Sequence, residues 1–153
     1  MANTQAMCTS FKVDLFNAVH AFNSTNVPAH TAATADTFKA ALYLASATVN
    51  AATTAYSSTN EVSGTNYTAG GVTVTFGTAP TSSGTTGYIT PSASIIYTNV
   101  TLSTSFDCVL IYNSTQSNKS VSVHTFTAQT VTAGTFTLTM PSNDSSNALL
   151  RLA

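Results

Sequence analysis

Acid–base, nucleophilic or metal chemistry in this chain would have to come from five acids, three histidines and two cysteines. His20, His30 and His124 fall in a helical pattern, a linker of small residues and a strand pattern. No two of them show ligand spacing, whereas a zinc-type site gathers three or four such side chains. His124, set among Val121, Val123 and Phe126, reads as a partly exposed strand position. Asp14, Asp36, Glu61, Asp107 and Asp144 are scattered one to an element. Carboxylates paired within about 10 Å, as glycoside hydrolysis needs, are therefore not expected. Asp36 and Asp144 read as turn-forming side chains, and Asp107 as a strand-end carboxylate in water or paired with Lys119 across a hairpin. Cys108 with His124 is the one Cys–His pair to weigh, against the plainer reading of a core thiol. No serine occupies a nucleophile elbow. The glycine-rich run Glu61–Gly71 lacks the Gly-Lys-Ser/Thr ending and the following helix of a phosphate cradle. The expectation is a protein that is not an enzyme, with no catalytic residues, no metal and no cofactor.

Composition narrows the classes further. At 153 residues the chain can bury a sizeable core in one domain. Only 6% of it is charged, and the net charge is −1. Thr alone makes up about a fifth, far above ordinary usage, and β-branched side chains suit a pleated sheet. Lys12, Lys39, Lys119 and Arg151 are the only strong cations, too few to neutralise a run of phosphates, so nucleic acid is not an expected partner. No apolar run approaches the ~20 residues that span a bilayer, so no membrane is expected either. The first residues lack the basic-then-apolar pattern of a signal peptide. Cys8 and Cys108 read as separate buried thiols. A neutral, Thr/Ser/Asn-clad surface does little to repel its own copies, which suits a protein packed against neighbours.

The elements that must position these residues are mostly strands. Residues 1–9 read as a polar arm. Ser10 is a plausible N-cap, and Phe11, Leu15, Val19 and Phe22 recur at helical spacing, giving one amphipathic helix over about residues 10–22. Two readings of that stripe stand: it covers one end of the sheet structure, or it docks onto another subunit. Asn23–Asn26 and Pro28 would stop the helix. Strands are expected at 37–44, 72–76, 95–102, 106–113, 120–126, 135–140 and 149–152. Segment 48–60 reads as an irregular loop or a short helical turn, 77–87 as a loop, 113–118 as a hairpin turn, and Ala133-Gly134 as another turn. The 106–113 stretch is apolar on both faces from Cys108 onward and reads as the central strand, covered on both sides. The resulting fold is mainly β: one antiparallel β-sandwich or jelly-roll-like domain over 35–153, preceded by an arm, helix and linker over 1–34.

Several segments together resemble a known family. They are Asp36–Tyr43, Thr53–Tyr56, Thr59–Gly71, Val109–Asn113 and Gly134–Pro141. Their order and spacing, over about residues 10–152, are similar to small virion structural proteins of tailed bacteriophages, with Glu61–Gly71 the most specific piece. The resemblance implies a non-enzymatic β-domain made in the host bacterial cytoplasm and located in the virion. It implies major capsid protein or other virion proteins as partners, and a homo-oligomer. The leading expectation is a capsid decoration or cement protein. A tail, collar or fibre accessory protein is the alternative. A glycan-binding adhesion module with Tyr56, Tyr67 and Tyr88 as stacking platforms is the third. The stripe Phe11, Leu15, Val19 and Phe22 is the candidate docking interface.

Overall fold

In the computed structural model, which describes residues 2–16, 18–22 and 34–153, strands account for 46% of the chain and helix for 5%. The mainly antiparallel β class expected from period-two patterning holds. A hairpin of two long strands, β6 (Ile95–Asn113) and β7 (Lys119–Leu138), organises the molecule. Its proximal half lies in a five-stranded sheet with β1 (Ala6–Met7), β2 (Phe38–Leu44) and β3 (Val72–Val74), in the order β1-β7-β6-β2-β3. A second sheet has the order β4-β5-β8, from Thr81–Ser83, Thr86–Ile89 and Leu150–Leu152. Two sheets enclosing a core make the body sandwich-like, and nothing in the strand order singles out a jelly roll.

The sequence pattern suggested separate strands at 95–102 and 106–113, and at 120–126 and 135–140. Each pair is one strand. The ladder between them shifts register at five places, including Leu102/Phe106 and Phe106/Cys108. A bulge leaves extra residues unpaired and bends its strand. Straight, Ile95 and Ile111 would stand roughly 50 Å apart. Both in fact line one cavity of about 90 Å³, so the hairpin curls back over itself. Ser103–Ser105 and Thr127–Thr130, exposed throughout, form the corner. Ala133, at φ 44, is such an irregularity within β7, where a turn was expected. Gly77–Gly87, expected to be loop, contains β4 and the start of β5.

The central-strand expectation holds. Cys108 through Asn113 are all buried, with β7 on one edge and β2 on the other. Phe106, Cys108 and Leu110 are fully buried, as are Phe38, Leu42 and Leu102 around them.

Two N-terminal expectations are corrected. Residues 2–9 are not a free arm: Ala6 and Met7 pair with Val123 and Ser122, and Cys8 is fully buried. Asn3 ties this segment down, donating to the Leu44 carbonyl and Asp107 Oδ1 and accepting from the Val49 amide. The 1–34 boundary therefore cuts through the first sheet. Helix α1 runs Thr9–Phe16, so Ser10 lies inside it and is not its cap. Ala18 turns left-handed at φ 52, with Val19 N–H donating to the Asp14 carbonyl and Ala18 N–H to that of Leu15. That is the Schellman pattern of helix termination. Asn23–Asn26, Pro28 and His30 lie outside the described residues.

Candidate functional site

The run Glu61–Gly71 is held by its own carboxylate. Oε1 of Glu61 accepts from the Tyr67 hydroxyl at 2.7 Å and the Gly70 amide at 2.8 Å, and Oε2 accepts from the Tyr56 hydroxyl at 2.7 Å. The Tyr67 oxygen accepts in turn from the Leu42 amide, and the Tyr112 hydroxyl donates to the Gly70 carbonyl. Two ring stacks close the cluster: Tyr56 on Tyr112 at 4.7 Å and Tyr67 on Tyr97 at 5.9 Å. The glycines make the approach possible. A Cβ on Gly71, at φ +71, would stand 1.6 Å from the Ala40 oxygen, and one on Gly64 1.9 Å from the Thr101 oxygen. Burial, then the bond to Glu61, pushes the Tyr56 and Tyr67 hydroxyls well above the ordinary phenol range. Burial and the charge of Glu61 push Tyr112 up to about 12. Phenols so shifted stay protonated at neutral pH and serve as donors. The cluster is a loop clamp. It also occupies Tyr56 and Tyr67, two of the three expected sugar platforms, in internal stacks.

A second polar cluster joins α1 to the hairpin. Lys119 Nζ contacts both Asp14 oxygens, at 2.9 and 3.1 Å. Lys119 is thus the partner of Asp14 and not of Asp107, because the ladder sets Lys119 opposite Asn113. Asn113, fully buried, accepts at Oδ1 from the Thr115 and Gln116 amides, which fixes its orientation. Its Nδ2 therefore donates both to Asp36 Oδ2 at 2.7 Å and to His20 Nδ1 at 3.0 Å. With Nδ1 accepting, His20 carries its proton on Nε2, which lies 3.7 Å from Asp14 Oδ2. Burial holds His20 below its ordinary pKa against the pull of Asp14 and Asp36. Asp36 also accepts from the Ala21 amide and the Gln116 side chain. It ties the segment after α1 to the hairpin end, a larger role than the turn expected of it. Asp144 is the turn former expected, accepting from the Ser146 and Asn147 amides.

Cys108 and His124 do not meet. The register pairs Cys108 with Thr125 and Val109 with His124, so the two side chains project from opposite faces of the sheet. Burial pushes the Cys8 thiol up to about 11 and Cys108 up to about 12. Both are free thiols, as expected. His124 Nε2 instead lies 2.9 Å from Ser122 Oγ, and burial pushes its pKa down to about 4. His124 also lines a cavity of about 530 Å³, together with Gln5, Asn147 and Arg151. Ser122 is itself buried, and a base of such low pKa is poorly matched to proton abstraction at neutral pH. Among the described residues no three His, Cys, Asp or Glu side chains are grouped to hold a metal.

The helical stripe has a different setting. Phe11 is buried, stacked obliquely on His20, and Phe22 stacks face to face on Phe38 at 4.7 Å. Phe11, Leu15 and Phe22 form one wall of an apolar groove of about 190 Å³, while Val19 lies outside it. The opposite wall comes from the second sheet, through Tyr88, Ile89, Leu150 and Leu152. Leu152, at 49% exposed, stands at its mouth. The β4–β5 part of that wall was missed because Thr, Ser and Gly carry no apolar alternation. Tyr88-Ile89 was the only signal there. Comparison with protein-family models, with curated proteins and with solved structures finds no match for this chain.

Proposed function

We propose that this chain is a non-enzymatic structural subunit of a tailed-bacteriophage virion, and within the virion a decoration or cement protein that binds major capsid subunits. The observation that carries the reading is where the chemically able side chains point. Glu61 is spent on a loop clamp, Asp14 on Lys119, Asp36 on Asn113, and both thiols are buried and protonated. What remains outside is mostly Thr, Ser and Asn, with few charges such as Lys12 and Arg151 among them. Such a surface favours extensive neutral contacts with neighbours over ion-paired ones. The resemblance of the Glu61–Gly71 run to virion structural proteins supports the same reading. The groove between α1 and the second sheet is the contact it favours, with Leu152 as the exposed apolar side chain at its rim.

A cement protein binds only the assembled shell, so it stabilises the shell by mass action. Heads lacking the protein should lose their contents at lower temperature, and adding purified protein should restore resistance. Leu152→Asp, at a position exposed enough to spare the fold, should bind such heads more weakly. Heads that are equally heat-resistant without the protein, from particles that have lost infectivity, would replace this reading with a tail role.

A further inference from the structure

We infer that the outer edge of β7 is a self-association surface, on which a second copy of this chain pairs antiparallel through its own β7. The inference does not depend on the virion reading. It starts from what covers β7 and what does not. On its outer side the strand is paired with β1 only at Ser122 and Val123, and among the described residues no other named strand lies there. Its first residues are covered as well: Ala55 bridges to Lys119, and Cys8 N–H donates to the Val121 carbonyl. Among the described residues nothing pairs with the edge from Thr125 to Leu138, and Thr127–Thr130, Thr132 and Thr135 are exposed.

An open edge offers unpaired amides and carbonyls as a template, and natural proteins blunt such edges with Lys, Pro, inward charges or β-bulges, of which this one has only the bulges. Between Thr125 and Leu138 there is no Lys, Arg, Asp, Glu or Pro. β7 itself carries extra residues between Thr125 and Gln129 and the left-handed Ala133, and the ladder behind it also shifts at Leu102/Phe106 and Tyr97/Val100. Only Phe136–Leu138 stand in regular register, against Tyr97–Ile95.

The occupant follows from charge. A two-fold antiparallel pairing sets the strand against itself, and only an uncharged strand does so in any register without opposing like charges. The chain as a whole, at a net charge of −1, adds almost no repulsion. The bulges break the edge into short stretches, so pairing would form only a few backbone hydrogen bonds, fewer than a typical protein interface carries, and the association expected is a weak one.

Sedimentation of the full chain from micromolar to near-millimolar concentration should show a dimer. Hydrogen exchange within Thr127–Thr137 should slow as the dimer forms. The double variant Thr130→Lys/Thr135→Lys should weaken dimerisation by about tenfold or more through opposed like charges. The matching Glu variant should do the same, and an equimolar mixture of the two should associate again. Val13→Lys, on the exposed face of α1, should change nothing. A wild-type chain that stays monomeric throughout overturns the inference. So does a dimer that both charged variants leave intact, or one without concentration-dependent protection in β7. Should a charged variant fail to fold, the exchange measurement on the unaltered chain decides alone.

Discussion

Removing the carboxylate of Glu61 tests whether the Glu61–Gly71 run is a clamp. Three donors converge on that carboxylate, two phenol hydroxyls at 2.7 Å and one amide at 2.8 Å. Glu61→Ala leaves all three without their acceptor. Hydrogen bonds to charged groups contribute about 1.5–3 kcal/mol each when buried. Glu61, Tyr56 and Tyr67 are only half-buried, so water can replace part of the loss, whereas Gly70 is buried. The expected cost of Glu61→Ala is therefore about 2–4 kcal/mol, a large share of an ordinary domain's stability. Glu61→Gln is the informative partner. Its amide oxygen can still accept from Tyr67 and Gly70, and the Tyr56 hydroxyl can turn to accept from its NH2. That variant should lose about 1 kcal/mol or less, the difference between a charged and a neutral acceptor. Urea unfolding followed by tyrosine fluorescence reads both, and the melting temperature should fall by about 2–4 °C per kcal/mol. Equal losses for Ala and Gln would mean that charge matters and acceptor geometry does not. A loss under about 0.5 kcal/mol for Ala, as at ordinary surface sites, would refute the clamp.

Three further outcomes are expected. Gly71→Ala should destabilise by more than about 2 kcal/mol or prevent folding, since its Cβ would meet the Ala40 oxygen at 1.6 Å on a left-handed backbone; soluble yield and unfolding midpoint check it. Stability should fall on acidification below pH 6.5, because the unfolded chain protonates His124 there while the folded chain holds it neutral to about pH 4. At about 1.4 kcal/mol per pH unit that amounts to about 3 kcal/mol, fully present above pH 6.5 and lost towards pH 4, with His20 acting in the same direction; His124→Asn should flatten the profile in urea melts from pH 7 to 4. Deleting residues 1–9 should destabilise the whole domain, since it removes β1, the buried Cys8 and the bonds of Asn3; the chain unfolding at unchanged urea concentration would restore the separable arm.

Apolar patterning made the β class and the central strand legible, because both depend on side chains that each residue carries alone. Phe106, Cys108 and Leu110 alternate with Val109 and Ile111, and no partner need be known to see both faces covered. The misses share a different cause. The helix ends at Phe16, and Ala18 just beyond it takes the left-handed position where glycine or asparagine would have given warning. Phe11, Leu15, Val19 and Phe22 keep helical spacing beyond that point, so periodicity overran the true end. The bend of β6 and β7 comes from bulges, which reside in the pairing of two strands and leave no mark on either alone. The pairing of Asp14 with Lys119, distant in sequence, is invisible for the same reason.

The Glu61–Gly71 run shows how a distinctive stretch can be distinctive for structural reasons. Its residues are unusual together: an acid, a tyrosine and three glycines in a chain poor in charge. Such a grouping invites a catalytic or ligand-binding reading. Each member has a local physical reason instead. The acid must accept three bonds, the tyrosine must reach it while stacking on Tyr97, and Gly64 and Gly71 must let backbone touch backbone. A loop fixed in this way lies against β2 and the distal half of β6 without a strand of its own, through the bridges Tyr43–Glu61 and Thr65–Thr101. It seals the edge of β2 beyond β3, where the first sheet would otherwise offer unpaired backbone. Among the described residues the edge of β7 stays unpaired from Thr125 to Leu138. The two edges are thus finished differently, one by a charged clamp and the other, among the described residues, by bulges alone.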